Sequence, residues 1–153
     1  MQPDLPVEAI IQEIVSVAGD DALAELDANS VSRSPELLTD DVVRILVERE
    51  LLGSTGIGDG VAIPHGKLQS NESKPLLVFG RSRQGVEFNS LDGRRAHLFF
   101  LLLASEADVG SHLRILARIS RIMKDPAVRR ELLAAGSARE IHEVIHRNGG
   151  DDS

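Results

Sequence analysis

A layered α/β domain is the fold class this sequence predicts, on three observations. The run Leu98 to Ala104 is apolar without a break, as strands covered on both faces are. Helix-period patterning lies on either side of it. Strand-like and helix-like segments alternate along the chain, which requires helices packed on a sheet.

The elements follow in order. Val7, Ile10, Ile11, Ile14 and Val15 recur at helical spacing and predict an amphipathic helix beginning near Pro6. The polar stretch Gly19 to Pro35 predicts at most a short helical piece around Asp21 to Asp27. Ser34 as N-cap and Pro35 at the first helical position open a helix to Leu51, with Leu38, Val42, Ile45, Leu46 and Leu52 on its core side. Leu76 to Phe79 is a short strand, and Gly85 to Phe88 pairs as another. Leu91-Asp92-Gly93 is a turn before the central strand Ala96 to Ala104. A loop from Ser105 to Gly110 leads to a helix capped by Ser111 and running to Lys124, with Leu113, Leu116, Ala117, Ser120 and Met123 inward. Asp125-Pro126 ends it and starts a helix to Ala135, and Gly136-Ser137 starts the last, to His146. One domain over residues 1–147 and a flexible tail over 148–153 are expected.

Composition narrows the function. The 153 residues carry a formal net charge of −7, and no Trp or Tyr, which argues against a nucleic-acid binder. No cysteine is present, so disulfides, thiol catalysis and cysteine metal sites are excluded. The chain offers neither a signal-peptide pattern nor an apolar run of membrane-spanning length, so a cytoplasmic protein without membrane insertion is expected.

Three motifs invite chemistry. His142-Glu143-Val144-Ile145-His146 matches the zinc-protease pattern, but the expected core positions Ile141, Val144 and Ile145 leave both histidines toward the edge, and the short segment after His146 is not expected to supply a third ligand. No metal site is expected. The glycines of residues 53–60 fit neither the G-x-x-x-x-G-K-S/T nor the G-x-G-x-x-G nucleotide pattern, so no nucleotide and no cofactor is expected. The third is His65, held between Pro64 and Gly66 after that glycine-rich stretch. An imidazole titrates near pH 6.5, so a ring nitrogen is available as a nucleophile at neutral pH without a general base. A phosphoryl group taken up there would bring close to two negative charges. Ser54, Thr55, backbone N–H groups and Arg49 are candidate donors to it. His112, in the first turn of a helix, is the natural second histidine, because helix N-termini favour anions. His97, at the start of the central strand, reads as structural or edge-exposed.

These residues carry a resemblance. Gly53-Ser54-Thr55-Gly56-Ile57-Gly58, then Ala62-Ile63-Pro64-His65-Gly66-Lys67, resembles the phosphorylation-site signature of the fructose/mannitol-type enzyme IIA domains of the bacterial phosphoenolpyruvate-dependent phosphotransferase system. Arg49-Glu50 before it, Gly85-x-x-Phe88 with Asp92-Gly93, and His112-Leu113 after the apolar strand fit in order, over residues 35–146. The resemblance implies a three-layer α/β/α sandwich around a mixed sheet. It implies that His65 accepts a phosphoryl group, on Nε2, from an HPr-like phosphocarrier protein. His112 and Arg49 match positions that stabilise that group, beside a phosphoryl-binding loop of Gly53, Ser54, Thr55 and Gly56. It implies as partners either a separate IIB domain, in sugar uptake, or a regulatory protein target. The stand-alone length favours the nitrogen-regulatory branch; a sugar-specific IIA and a phosphorylation-independent binding module are the alternatives. The sequence departs from the family pattern in three places: family members begin with a strand before the first helix, where this sequence predicts a helix from Pro6; Ser105 stands where a proline is common after the central strand; and Asn89 stands where an aspartate is common.

Overall fold

The computed structural model describes residues 5, 9–17, 19–33, 39–52, 56–68, 76–88, 93–105 and 109–149. Along them lie β1 (Ile10–Ile11), α1 (Gly19–Arg33), α2 (Thr39–Leu52), β2 (Gly56–Gly58), β3 (Val61–Ala62), β4 (His65–Leu68), β5 (Leu76–Val86), β6 (Ala96–Ser105), α3 (Val109–Met123), α4 (Pro126–Ala134) and α5 (Ala138–Gly149). The strands form one mixed sheet in the order β1-β5-β6-β3-β2, with β4 also beside β6. β5 and β6 are antiparallel, whereas β1 on β5, and β3 and β4 on β6, are parallel.

β6 is the centre because its side chains are apolar in both directions. Leu98, Phe100 and Leu102 enter one core with α3, α4 and α5, while Phe99, Leu101 and Leu103 enter a second core with α1 and α2. The continuous apolar run thus resolves into two alternating faces, each covered by helices. That is the expected α/β/α sandwich.

The N-terminal helix expected from Pro6 is corrected. Ile10 and Ile11 pair with Phe79 and Gly80, and the chain then follows β5, with the Ile14 amide donating to the Arg81 carbonyl and the Glu87 amide to that of Val17. Ile10 goes to the first core; Ile11 and Ile14 go to the second. Apolar residues spaced for a helix face serve equally well in a segment whose two sides are both buried. The strand expected of family members is therefore present, and that departure is not. The polar stretch after it is also more ordered than expected: α1 is a 15-residue helix with Ala22, Leu23 and Leu26 buried.

Other boundaries shift. β5 is a single strand of 11 residues that joins the two short ones expected, and its register against β6 slips between Arg81 and Val86. Gly85 sits in that irregularity at φ 89°. α3 begins at Val109, so Ser111 lies inside it rather than capping it, and its buried residues are His112, Ile115, Ile119, Ile122 and Met123. Leu113, expected inward, is 60% exposed, and Ala117 is exposed too. Asp125 does cap α4, its carboxylate accepting from the Ala127 amide at 2.9 Å. The Ser34-Pro35 helix start and Leu38 lie outside the described residues, as do Leu91-Asp92 of the turn and residues 150–153 of the tail. The helix itself is described from Thr39, with Leu46 buried and Ile45 packed on the same core.

Gly80 allows α1 and the N-terminal segment to lie on β5. A Cβ there would stand 2.7 Å from Ile14 Cδ1 and 2.8 Å from Leu26 Cδ2. Gly80→Val is expected to lower stability by about 1–3 kcal/mol through overpacking, measured as the shift in urea midpoint at constant m.

Candidate functional site

The stretch that leads to His65 is a hairpin and a broken strand, not a loop. β2 and β3 are joined by Asp59-Gly60, with φ of 56° and 78°, as the two-residue turn with both central residues left-handed requires. The Asp-Gly pair was the available signal for that turn. β3 and β4 then run along the same side of β6, Val61 opposite Leu98 and His65 opposite Leu102. Ile63 and Pro64 interrupt them, because proline has no amide hydrogen to give to a ladder.

The interruption orients the histidine. His65 Nδ1 lies 2.6 Å from the carbonyl oxygen of Ile63. A carbonyl only accepts, so this contact selects the tautomer with hydrogen on Nδ1 and leaves the lone pair on Nε2. The His65 ring is half-buried.

Alternation on β4 fixes which way the ring faces. Gly66 lies toward α2, where a Cβ would stand 3.0 Å from Ile45 Cγ2 and 3.6 Å from Leu46 Cδ2. His65 and Lys67, one residue to either side, lie toward the opposite layer, that of α3. There His65 meets His112, with ring centroids 5.5 Å apart and the planes inclined at 61°. His112 is 3% exposed, and its Nδ1 has no hydrogen-bond partner among the described residues. Burial holds the His112 imidazole below its ordinary pKa, and the nearby His65 and Lys67 charges add to that. Lys67 carries a positive charge to this side of the sheet, a role that the sequence reading did not assign to it.

Arg49 lies in the last turn of α2, half-buried. It is three and four residues beyond Leu46 and Ile45, so it shares the helix face that rests on Gly66, whereas the His65 ring faces the α3 layer. Gly53, Ser54 and Thr55 lie outside the described residues; Gly56 opens β2 opposite Ala62. His97 is half-buried, with its Nδ1 2.8 Å from the Ser82 carbonyl oxygen. On α5, Ile141, Val144 and Ile145 are buried, as the sequence implied, with His142 half-buried and His146 exposed. No group of three or more His, Cys, Asp or Glu suited to a metal occurs among the described residues. Nor is any helix among them long and apolar enough to cross a membrane.

The depressed His112 pKa makes stability depend on pH. Above the ordinary imidazole midpoint of about 6.5 both folded and unfolded states hold this ring neutral. As pH falls through that value the unfolded chain takes the proton first, so stability declines until the lower native midpoint is passed. Proton NMR of the His112 ring should show a midpoint below that of a free imidazole, and His112→Gln should flatten the acid limb of the stability curve.

Residues 8–148 match the family model described as "Phosphoenolpyruvate-dependent sugar phosphotransferase system, EIIA 2". The chain is 39% identical over 141 residues to a "Nitrogen regulatory protein" of Bradyrhizobium diazoefficiens, covering 90% of this chain and 89% of that protein. It is 42% identical over 103 residues to a "PTS system fructose-specific EIIABC component" of Bacillus subtilis, covering 67% of this chain but only 16% of that protein's length. Among solved structures, it resembles Nitrogen Regulatory Protein IIA-Ntr from Neisseria meningitidis, with a TM-score of 0.85, 31% identity, and 92% and 94% of the two chains covered.

Proposed function

We propose, since this chain belongs to the EIIA 2 family of the phosphoenolpyruvate-dependent sugar phosphotransferase system, that it is a phosphohistidine phosphocarrier using His65. The observation that carries this reading is the Ile63 carbonyl on His65 Nδ1, which leaves Nε2 nucleophilic with His112 beside it. The Nε2 lone pair attacks the phosphorus of a phosphohistidine on an HPr-like donor. An N–P bond forms at His65 as the donor's N–P bond breaks, and the electron pair leaves with the donor imidazole. No nucleotide takes part.

The surrounding groups stabilise the arriving anion. His112 donates a ring N–H to a phosphoryl oxygen and Lys67 supplies positive charge, while for Arg49 a stabilising role rests on the family resemblance alone. The desolvated His112 ring is held neutral until an anion arrives. Phosphorylation of His65 should then raise the His112 midpoint, because a neighbouring anion favours the imidazolium. NMR titration of the phosphorylated and free protein measures this, and an unmoved His112 would place the phosphoryl group elsewhere.

The nitrogen-regulatory branch is the favoured setting, in which the phosphorylation state selects a protein partner. It is supported by the near full-length match to a nitrogen regulatory protein. A sugar-specific carrier handing the group to a separate IIB domain is the second reading, motivated by the fructose-specific relative. Incubation with phosphoenolpyruvate, enzyme I and either HPr or its nitrogen-branch relative as donor tests both. An acid-labile mass gain of one phosphoryl group supports the carrier function, and a faster gain from the nitrogen-branch donor supports the regulatory setting. No gain from either donor leaves a phosphorylation-independent binding module.

A further inference from the structure

We propose that His142 and His146 of α5 form a surface site for a divalent late-transition-metal ion, Cu2+ foremost, separate from the His65–His112 pair. The two rings lie one helical turn apart with centroids 4.1 Å apart, inclined at 47°. Two imidazole nitrogens bound to one ion at about 2.0–2.1 Å stand roughly 3 Å from each other, so modest rotation of the side chains closes such a chelate. His146 is exposed and His142 half-buried, so an ion reaches the pair from solvent. No hydrogen bond to a described residue engages either ring.

The same geometry separates this site from the zinc-protease pattern that the sequence suggests. Glu143 is adjacent to His142 in sequence and so points about 100° around the helix from it. Glu131, on the neighbouring α4, is committed to Arg147 at 2.6 Å. The pair therefore supplies two ligands, with water completing the coordination. Two imidazoles without a thiolate suit Cu2+, Ni2+ and Zn2+, and affinity peaks at Cu2+. Binding would tie together the last two turns of α5, whose Ile141, Val144 and Ile145 close the core under the sheet.

The test is titration of the full chain with Cu2+ near pH 7, by calorimetry and by electron paramagnetic resonance. About one ion per chain with nitrogen hyperfine structure is expected, weakening by about tenfold or more in His146→Ala and in His142→Gln. His65→Ala should bind Cu2+ like the wild type. Unchanged Cu2+ binding in His146→Ala, loss of it in His65→Ala, or a spectrum without nitrogen ligands in the wild type would each overturn the assignment.

Discussion

His65→Ala is expected to take up no phosphoryl group from a phosphorylated HPr-like donor, while folding normally. The side chain is half-buried and lies at the start of a short strand. Its removal therefore costs little packing and deletes the only nitrogen nucleophile that the mechanism uses. His112→Ala should still be phosphorylated, but more slowly or with a shorter-lived adduct. A single donor to a developing anion is worth about 2–4 kcal/mol, so a loss of roughly two to three orders of magnitude in rate is the expected scale. Quenched-flow transfer from the phosphorylated donor, with intact mass as readout, separates the two variants. Retained phosphorylation in His65→Ala would exclude this residue as the acceptor.

The largest stability effect is expected at Arg81. Arg81 is 1% exposed, yet among the described residues its guanidinium forms no ion pair with a carboxylate. It donates instead to three carbonyl oxygens, those of Gln12, Leu132 and Ala135. The last two belong to the end of α4, where helix carbonyls lack amide partners and carry negative partial charge. Burial and the neighbouring Arg83 pull the Arg81 pKa below the usual arginine value, with Glu13 opposing. One side chain thus ties the N-terminal segment and β5 to the C-terminus of α4. Arg81→Ala would leave buried acceptors unsatisfied and a void beside them, at a cost of about 3–5 kcal/mol. Arg81→Lys should recover only part of this, because an ammonium cannot span the three acceptors as a planar fork does. Urea unfolding of both variants checks it, and a loss below about 1 kcal/mol for Arg81→Ala would show that water replaces the guanidinium.

The sequence spoke clearly where local chemistry and tertiary context agree. Ala96 to Ala104 is apolar on both faces because helices cover both, and Asp125-Pro126 must open a helix because proline and an N-cap carboxylate belong there. It spoke poorly where two periods coincide. Ile10, Ile11 and Ile14 fit a helix face, yet they serve a segment that sends side chains into two cores. Arg81 and Ser82 interrupt an apolar strand in sequence, but both are buried, so β5 continues through them. The α3 register differs from the expected one because a polar residue, His112, occupies an inward position. For the candidate site, the pairing of His65 with His112 follows from motif order, whereas the Ile63 carbonyl that fixes the His65 tautomer and the placement of Lys67 depend on the break at Pro64, which only three-dimensional geometry exposes.

The ends of the sheet bear on how other proteins can engage it. One margin is a strand of two residues, and the other is shared by β2, of three residues, and β4, of four. Beyond β1 the open side of β5 is occupied by the protein's own chain as far as Val17, with Glu13 and Arg83 paired beside it. Among the described residues each margin therefore offers only a short stretch of backbone to a foreign strand, and short edges guard against fibril-like stacking of copies. Recognition has to run through side-chain surfaces, so it can be retuned by point changes without redesign of the scaffold.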